Sequence, residues 1–201
     1  MAKTIGVGVI GMGWMGIVHS RCYLRVGQHF PDLNLCPRLI ICADEVADRS
    51  SEAKDRFGFE RQTSNWQKVI ADPDVEIVNI AAPNSMHLEI VQAAAKAGKH
   101  ILMEKPIERS TEKAKKIVNI CQNNKVHLGV VLQHRFRESS IKLKTLIKEN
   151  KLGSIYSVQV NIPWWRDQSY YDEPGRGTYE RDGGGVLISQ AIHTLDLMIN
   201  L

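Results

Sequence analysis

From residue 4 to about residue 131 the chain alternates short apolar, β-branched runs with longer amphipathic stretches. This alternation constrains the fold more than any other feature, because strands apolar on both faces need cover on both sides. The runs are Ile5–Ile10, Leu39–Ala43, Ile77–Ala81, His100–Met103 and His127–Val131. Helices are expected over Met15–Val26, Val46–Phe57, Asn65–Ile70, His87–Ala97 and Thr111–Asn123. Strands separated in this way by helices predict an α/β, doubly wound parallel sheet over residues 1–132. Gly98 suits a helix C-cap, and Ser110 or Thr111 suits an N-cap.

The first strand runs into Gly11-Met12-Gly13-Trp14-Met15-Gly16, a glycine-rich turn placed between strand and helix. Gly11 permits a tight turn, Gly13 lets a ligand approach the backbone, and Gly16 allows close helix–strand packing. The free N–H groups of the helix start at Trp14 and Met15 suit a diphosphate. A bound dinucleotide is therefore expected. Asp44 ends the second strand, 33 residues after Gly11 (44 minus 11), where an acid can accept hydrogen bonds from ribose hydroxyls or cap the next helix. The extra length falls in Gly27–Pro37, expected as a loop-like insertion. Glu45 follows, and two carboxylates would repel a 2′-phosphate, so NAD is favoured over NADP. After the next strand, Ala81-Ala82-Pro83-Asn84 leads to His87; Asn84 can cap the helix, and His87 is either a cofactor contact or a surface histidine.

His100–Met103 ends in Glu104-Lys105-Pro106. Proline restricts the residue before it, so Lys105 should be extended. A cationic ring nearby would lower its pKa and suit it to bonding a hydroxyl; the bland alternative is a surface lysine paired with Glu104. The cofactor-contacting candidates are Gly11, Gly13, Trp14, Met15, Gly16, Asp44, Ala82, Pro83, Asn84, His87, Glu104 and Lys105.

Residues 133–201 have a different character. An amphipathic helix is expected over Ser139–Asn150, and Ile155–Ile162 alternates like a half-buried strand. An aromatic, charged loop follows over Pro163–Asp182, with Trp164-Trp165-Arg166 and Tyr170-Tyr171 suited either to a sugar or phosphate or to packing on each other. The glycine triplet Gly183–Gly185 opens a helix through His193 to Leu201, where Asp196 can orient the His193 imidazole; on pattern alone this histidine is core or catalyst. A single strand and two helices do not close a core, so this segment is expected to be the incomplete start of an α+β substrate domain.

The net charge of +4 is too mild to imply nucleic acid, and 43% hydrophobic with 24% charged residues suits a soluble globular chain. Cys22, Cys36, Cys42 and Cys121 show neither metal-site nor disulfide spacing, so no metal is expected, and Cys42 and Cys121 fall in apolar runs. With no leader pattern and no membrane-length apolar run, the expected compartment is the cytoplasm.

With these residues assembled, the chain resembles the glucose–fructose oxidoreductase/inositol dehydrogenase (Gfo/Idh/MocA) family. The resemblance rests on Gly-Met-Gly-Trp-Met-Gly, Ala-Pro-Asn-Ser-Met-His, Ala-Gly-Lys-His-Ile-Leu-Met-Glu-Lys-Pro and Gly-Gly-Gly-Val-Leu-Ile-Ser-Gln-Ala-Ile-His-Thr-Leu-Asp. It implies an NAD(P)-binding Rossmann domain followed by a mostly antiparallel substrate domain that commonly serves oligomerisation, hence a homo-oligomer in the full-length form. It also implies that Lys105 contacts the reacting hydroxyl, that His193 is the general base, and that Arg135 lines the pocket. Trp165, Arg166, Tyr171 and Gln190 are then the remaining substrate candidates, and the stretch looks most like members acting on sugars or nucleotide sugars. Many members carry an aspartate four residues before the histidine; here that position is Ser189, followed by Gln190. Members also continue well beyond this helix, so the expected function is NAD(P)-dependent oxidation of a secondary hydroxyl of a sugar, cyclitol or nucleotide sugar by a C-terminally truncated chain. The alternatives are a non-catalytic NAD-binding paralogue and a lyase-like member using NAD transiently.

Overall fold

The computed structural model describes residues 2–201. The chain divides into two compact units, the first ending at Val130 and the second running from Val131 to Leu201.

The first unit is built on six strands: β1 (Lys3–Ile10), β2 (Leu35–Ala43), β3 (Arg61–Thr63), β4 (Ile77–Ile80), β5 (His100–Met103) and β6 (Leu128–Val130). All pair in parallel, in the order β3-β2-β1-β4-β5-β6. The chain starts in the middle and winds outward both ways, leaving a crevice where the winding reverses at β1 and β4. The carboxyl ends are flush: Ile10 is level with Ala43 and Ile80, Ile80 with Met103, and Met103 with Val130. Whatever follows each of these residues is delivered to one edge.

The helices are α1 (Trp14–His29), α2 (Ala47–Phe57), α3 (Trp66–Ala71), α4 (His87–Lys96) and α5 (Thr111–Asn123). One face of the sheet buries Val7, Val9, Leu39 and Cys42 with Ala53 and Phe57 of α2. The other buries Ile40, Val78, Ile80 and Ile101 with Val69, Ile90, Val91 and Ile117 of α3, α4 and α5. Ser110 caps α5, its hydroxyl accepting the Lys113 N–H at 3.3 Å, and Gly98 takes a left-handed φ of 73° just after α4.

Two sequence expectations change here. Gly27–Pro37 is not a loop: it holds the end of α1, a 3-10 turn at Pro31–Leu33 and the start of β2, whose Leu35–Arg38 pair with Lys3–Gly6. The strand β3 was not expected at all, because Arg61-Gln62-Thr63 is polar and lies at the sheet edge, where no apolar run is needed.

The second unit opens with a 3-10 turn, Gln133–Phe136, and α6 (Glu138–Lys148), then carries α7 (Gln168–Tyr171), α8 (Tyr179–Asp182), α9 (Val186–Ser189) and α10 (Ile192–Asn200). Two expectations are corrected. Ile155–Ile162 alternates but forms no strand; among the described residues of this unit there is none for it to pair with, and Tyr156 stands 94% exposed. An extended segment without a ladder partner leaves its backbone groups to water. The helix expected to run from the glycine triplet through His193 is two helices, broken at Gln190–Ala191.

Candidate functional site

The glycine turn follows β1 at the flush edge. Gly11 has a φ of +91°, and a Cβ there would stand 2.6 Å from the Ala81 carbonyl oxygen at the end of β4. A Cβ on Gly16 would overlap the carbonyl oxygen of Gly11. Both glycines are therefore fixed by the protein's own backbone. Gly13 differs: its φ of −68° is open to any residue, and a Cβ would meet nothing within 4 Å. The room there lies in front of the first turn of α1, which has no side-chain cap and no acid. Free N–H groups and a helix dipole facing open space suit an anion such as a diphosphate. Trp14, at the first helical position, is 79% exposed beside this cradle.

Asp44 follows β2 at the same edge, and its carboxylate has a structural task. One oxygen accepts the Met12 N–H at 2.7 Å and the other the Val46 N–H at 2.9 Å, so it ties the glycine turn to the strand beside it. The Arg49 guanidinium stands 3.9 Å away. Together with Gly11, Val46, Trp66, Pro83 and Met86, Asp44 lines a cleft of about 150 Å³ on the β2 side of the turn. Its walls are largely apolar, and Asp44, Glu45 and Arg49 are its charged lining.

The loop after β4 places Ala82 and Pro83 in this cleft, while Asn84 opens a 3-10 turn, Asn84–Met86, ahead of α4. His87 is neither exposed nor open to a ligand. Its ring is fully buried, with Nδ1 3.1 Å from the Pro106 and Ile107 carbonyls and Nε2 3.1 Å from the Ala82 carbonyl. Burial pushes its pKa below the ordinary value against these bonds and the charge of Glu108. The imidazole pins the loop after β4 to the loop after β5.

That second loop carries Glu104, Lys105 and the cis peptide before Pro106. Lys105 is half-buried, and its backbone N–H donates to one Glu104 oxygen at 3.2 Å. Glu104 is buried, with its other oxygen 2.9 Å from Nε2 of His19 on α1. His19 Nδ1 lies 2.9 Å from the Asn79 side-chain oxygen, which also accepts the Tyr23 hydroxyl at 3.2 Å. Burial lowers the His19 pKa, but the bonds to Glu104 and Asn79 outweigh it and leave the value raised. Sequence reasoning missed His19, Tyr23 and Asn79. A signal existed: Asn79 interrupts the apolar run of β4, and His19 and Tyr23 stand one helical turn apart on α1.

In the second unit His193 is buried on α10, its ring centroid 5.1 Å from that of His134. Both Asp196 oxygens bind the Arg135 guanidinium, one of them accepting Nε–H at 2.6 Å, so Arg135 spends its fork on holding the 3-10 turn to α10. Gln190 is buried next to the break between α9 and α10. Arg166 stacks over Trp164 at 4.7 Å and Tyr170 at 5.4 Å, and Arg176 covers Tyr170 at 4.5 Å while pairing with Glu173. The aromatic loop thus packs on itself, leaving Trp165 exposed at 78% and Tyr171 at 49%. A cleft of about 300 Å³ is lined by His134, Arg137, Asn161, Pro163, Trp164 and Thr194. Burial, then Arg137, lowers the His134 pKa.

Residues 5–132 match the profile of the Gfo/Idh/MocA oxidoreductase family, NAD-binding Rossmann fold, and residues 140–201 match a C-terminal domain of the same family. A levoglucosan dehydrogenase of Pseudarthrobacter phenanthrenivorans is 33% identical over 97% of this chain and 50% of its own length. A myo-inositol 2-dehydrogenase of Thermotoga maritima is 27% identical over 95% of this chain and 53% of its own. Among solved structures, levoglucosan dehydrogenase in complex with NADH and levoglucosan superposes with a TM-score of 0.86 at 34% identity, over 97% of this chain and 53% of that one. The WlbA dehydrogenase from Bordetella pertussis, in complex with NADH and UDP-GlcNAcA, gives 0.85 at 30% identity, over 99% and 55%. The chain spans about half the length of the curated relatives it matches. No helix of the described residues is long and apolar enough to cross a membrane. The chain belongs to the Gfo/Idh/MocA oxidoreductase family.

Proposed function

We propose that the protein is an NAD-dependent oxidoreductase that moves a hydride between the nicotinamide and a secondary carbinol carbon of a sugar, cyclitol or nucleotide sugar. The observation that carries it is the glycine cradle. Two glycines are fixed by the protein's own backbone, and the third faces open space before an uncapped helix start. The cofactor, when bound, supplies the hydride acceptor or donor. In this reading the α1 start and Gly13 hold the diphosphate, and the cleft beside Asp44 takes the adenosine. Asp44 and Glu45 line it and outnumber Arg49, whose guanidinium stands 3.9 Å from Asp44, and this acid excess disfavours a 2′-phosphate and supports NAD over NADP. The relatives' bound NADH agrees with this.

Lys105 is assigned a hydrogen bond to the reacting hydroxyl, and His193 its proton, by their places in the family motifs. Arg135 is assigned instead to the support of α10, since its guanidinium is committed to Asp196. Trp165 and Tyr171 remain candidates for stacking on a sugar face. The domain division at residues 132/133, the cytoplasmic location and homo-oligomerisation belong to the same proposal. The test titrates NADH into the full-length protein, following energy transfer from tryptophan to the nicotinamide, and then screens sugars, cyclitols and nucleotide sugars for NADH formation. NADH binding with turnover of a polyol, lost in Lys105→Met and His193→Asn, supports the reading. Binding without turnover of any of them points to a non-catalytic NAD-binding protein.

A further inference from the structure

Behind the Glu104–Pro106 loop, side chains from three elements form one buried polar chain: Tyr23 and His19 of α1, Asn79 of β4, and Glu104 after β5. Neither phosphate nor adenosine binding uses them. A buried carboxylate beside an imidazole is an expensive way to hold a loop that His87 already pins. Its position suggests another task. With the adenosine cleft on the β2 side of β1 and the phosphates at the start of α1, a dinucleotide crossing the edge carries its redox ring past β4 toward the end of β5. That ring is cationic when oxidised and neutral when reduced. A bare Glu104 carboxylate there favours the oxidised form, whereas a carboxylate neutralised by an imidazolium does not.

We propose that His19 sets the redox preference of the bound dinucleotide by supplying or withholding the counter-charge of Glu104. The inference rests on the reading above that this chain binds NAD. The network accommodates His19 in both charge states. As an imidazolium, it donates Nδ1–H to the Asn79 oxygen and Nε2–H to Glu104, and the buried Asn79 Nδ2 is left without a hydrogen-bond partner. Half a turn of the Asn79 amide places Nδ2 against His19 Nδ1 and the Tyr23 oxygen. That arrangement suits a neutral imidazole still donating Nε2–H to Glu104, and leaves the amide oxygen unpaired instead. Each state costs one amide atom, so neither is locked. The ionisable groups around the ring are Glu104 after β5, the Tyr23 hydroxyl on α1 acting through Asn79, and Lys105 next to Glu104. Tyr23 is kept neutral because burial pushes its pKa well above the ordinary value. His19 is the group whose proton lies against the Glu104 carboxylate, and the bonds to Glu104 and Asn79 raise its pKa against the lowering by burial.

The test measures the ratio of dissociation constants, Kd(NADH)/Kd(NAD+), by calorimetric titration of the full-length protein between about pH 6 and about pH 9, a span that brackets the ordinary histidine value. For the wild type the ratio rises on the order of tenfold across that span, as His19 loses its proton and exposes the Glu104 charge. His19→Gln holds the ratio at the high alkaline level throughout. Glu104→Gln, and the double variant, hold it at the low level. A merely structural role would weaken both nucleotides together and leave the ratio alone; that outcome, or a ratio in the wild type that does not change with pH, overturns the proposal. If His19→Gln does not fold, the wild-type series and Glu104→Gln decide. A wild type that binds neither nucleotide sinks the NAD reading itself, whereas one that binds both at a fixed ratio sinks this inference alone.

Discussion

Replacing Asp44 by asparagine keeps the shape of the side chain but converts one acceptor oxygen into an N–H₂ donor. The native carboxylate accepts two backbone N–H groups, from Met12 at 2.7 Å and Val46 at 2.9 Å, with its side chain 9% exposed. The amide satisfies one of them and faces the other with a like donor. A hydrogen bond to a charged group contributes about 1.5–3 kcal/mol, and the Val46 N–H, which is exposed, can turn to water when its acceptor is lost. Asp44→Asn should therefore destabilise the first unit by about 1–3 kcal/mol, lowering Tm by roughly 3–9 °C for a chain of this size. The assay is thermal unfolding without nucleotide, run beside an NADH titration. NADH affinity should fall as well, because the Met12 tether sets the glycine turn. An unchanged Tm with weakened NADH binding would refute the argument and leave Asp44 as a ribose contact with no part in holding the turn.

The glycines of the cradle should separate by experiment. Gly13→Ala should leave Tm unchanged and weaken NADH roughly tenfold or more, since its Cβ enters only the space kept for the ligand. Gly16→Ala should cost on the order of 1–3 kcal/mol of stability even without nucleotide, because its Cβ overlaps the Gly11 carbonyl. The two buried histidines should act on stability in opposite pH windows, readable from denaturation midpoints. His87 has a folded pKa below its ordinary 6.5, so its contribution is complete above 6.5 and is lost as pH falls through the folded value. His19 has a folded pKa above 6.5, so its contribution is complete below 6.5 and is lost as pH rises through the folded value. His87→Gln should remove the acid-side loss and leave the alkaline one.

The sheet was legible because its strands are apolar on both faces, a pattern that parallel pairing demands and little else explains. The glycine turn was legible from its spacing between a strand and a helix, although only Gly16 answers a steric need local to the turn, Gly11 meeting Ala81 and Gly13 open space. Chain segments whose fate depends on a distant partner were not. The alternation of Ile155–Ile162 states which side chains would face a core, and says nothing of whether a second strand exists to accept the backbone hydrogen bonds. The sequence placed Asp196 within reach of His193 three residues away on the same helix, but gave no sign that Arg135, 61 residues away in sequence, binds both its oxygens. Glu104 was read only as a cofactor contact or a neighbour of Lys105, yet it turns inward to His19, 85 residues earlier. Charge pairs of that span carry no local periodicity, and the spacing of His19 and Tyr23 on one helix face does not say which distant carboxylate they meet.

The flush carboxyl edge of the sheet separates two kinds of change that a lineage of such proteins can undergo. Between α1 and β2 this chain carries a 3-10 turn and an extended run that joins β1 at its amino end. All of that length is absorbed on the side away from the glycine cradle, and Ala43 still stops level with Ile10. Connections that enter strands can therefore grow or shrink while the height of Asp44 and Glu104 stays fixed. Connections that leave strands have no such slack, because their first residue already faces the ligand. Tolerance to insertion should accordingly differ between the two ends of the same strand.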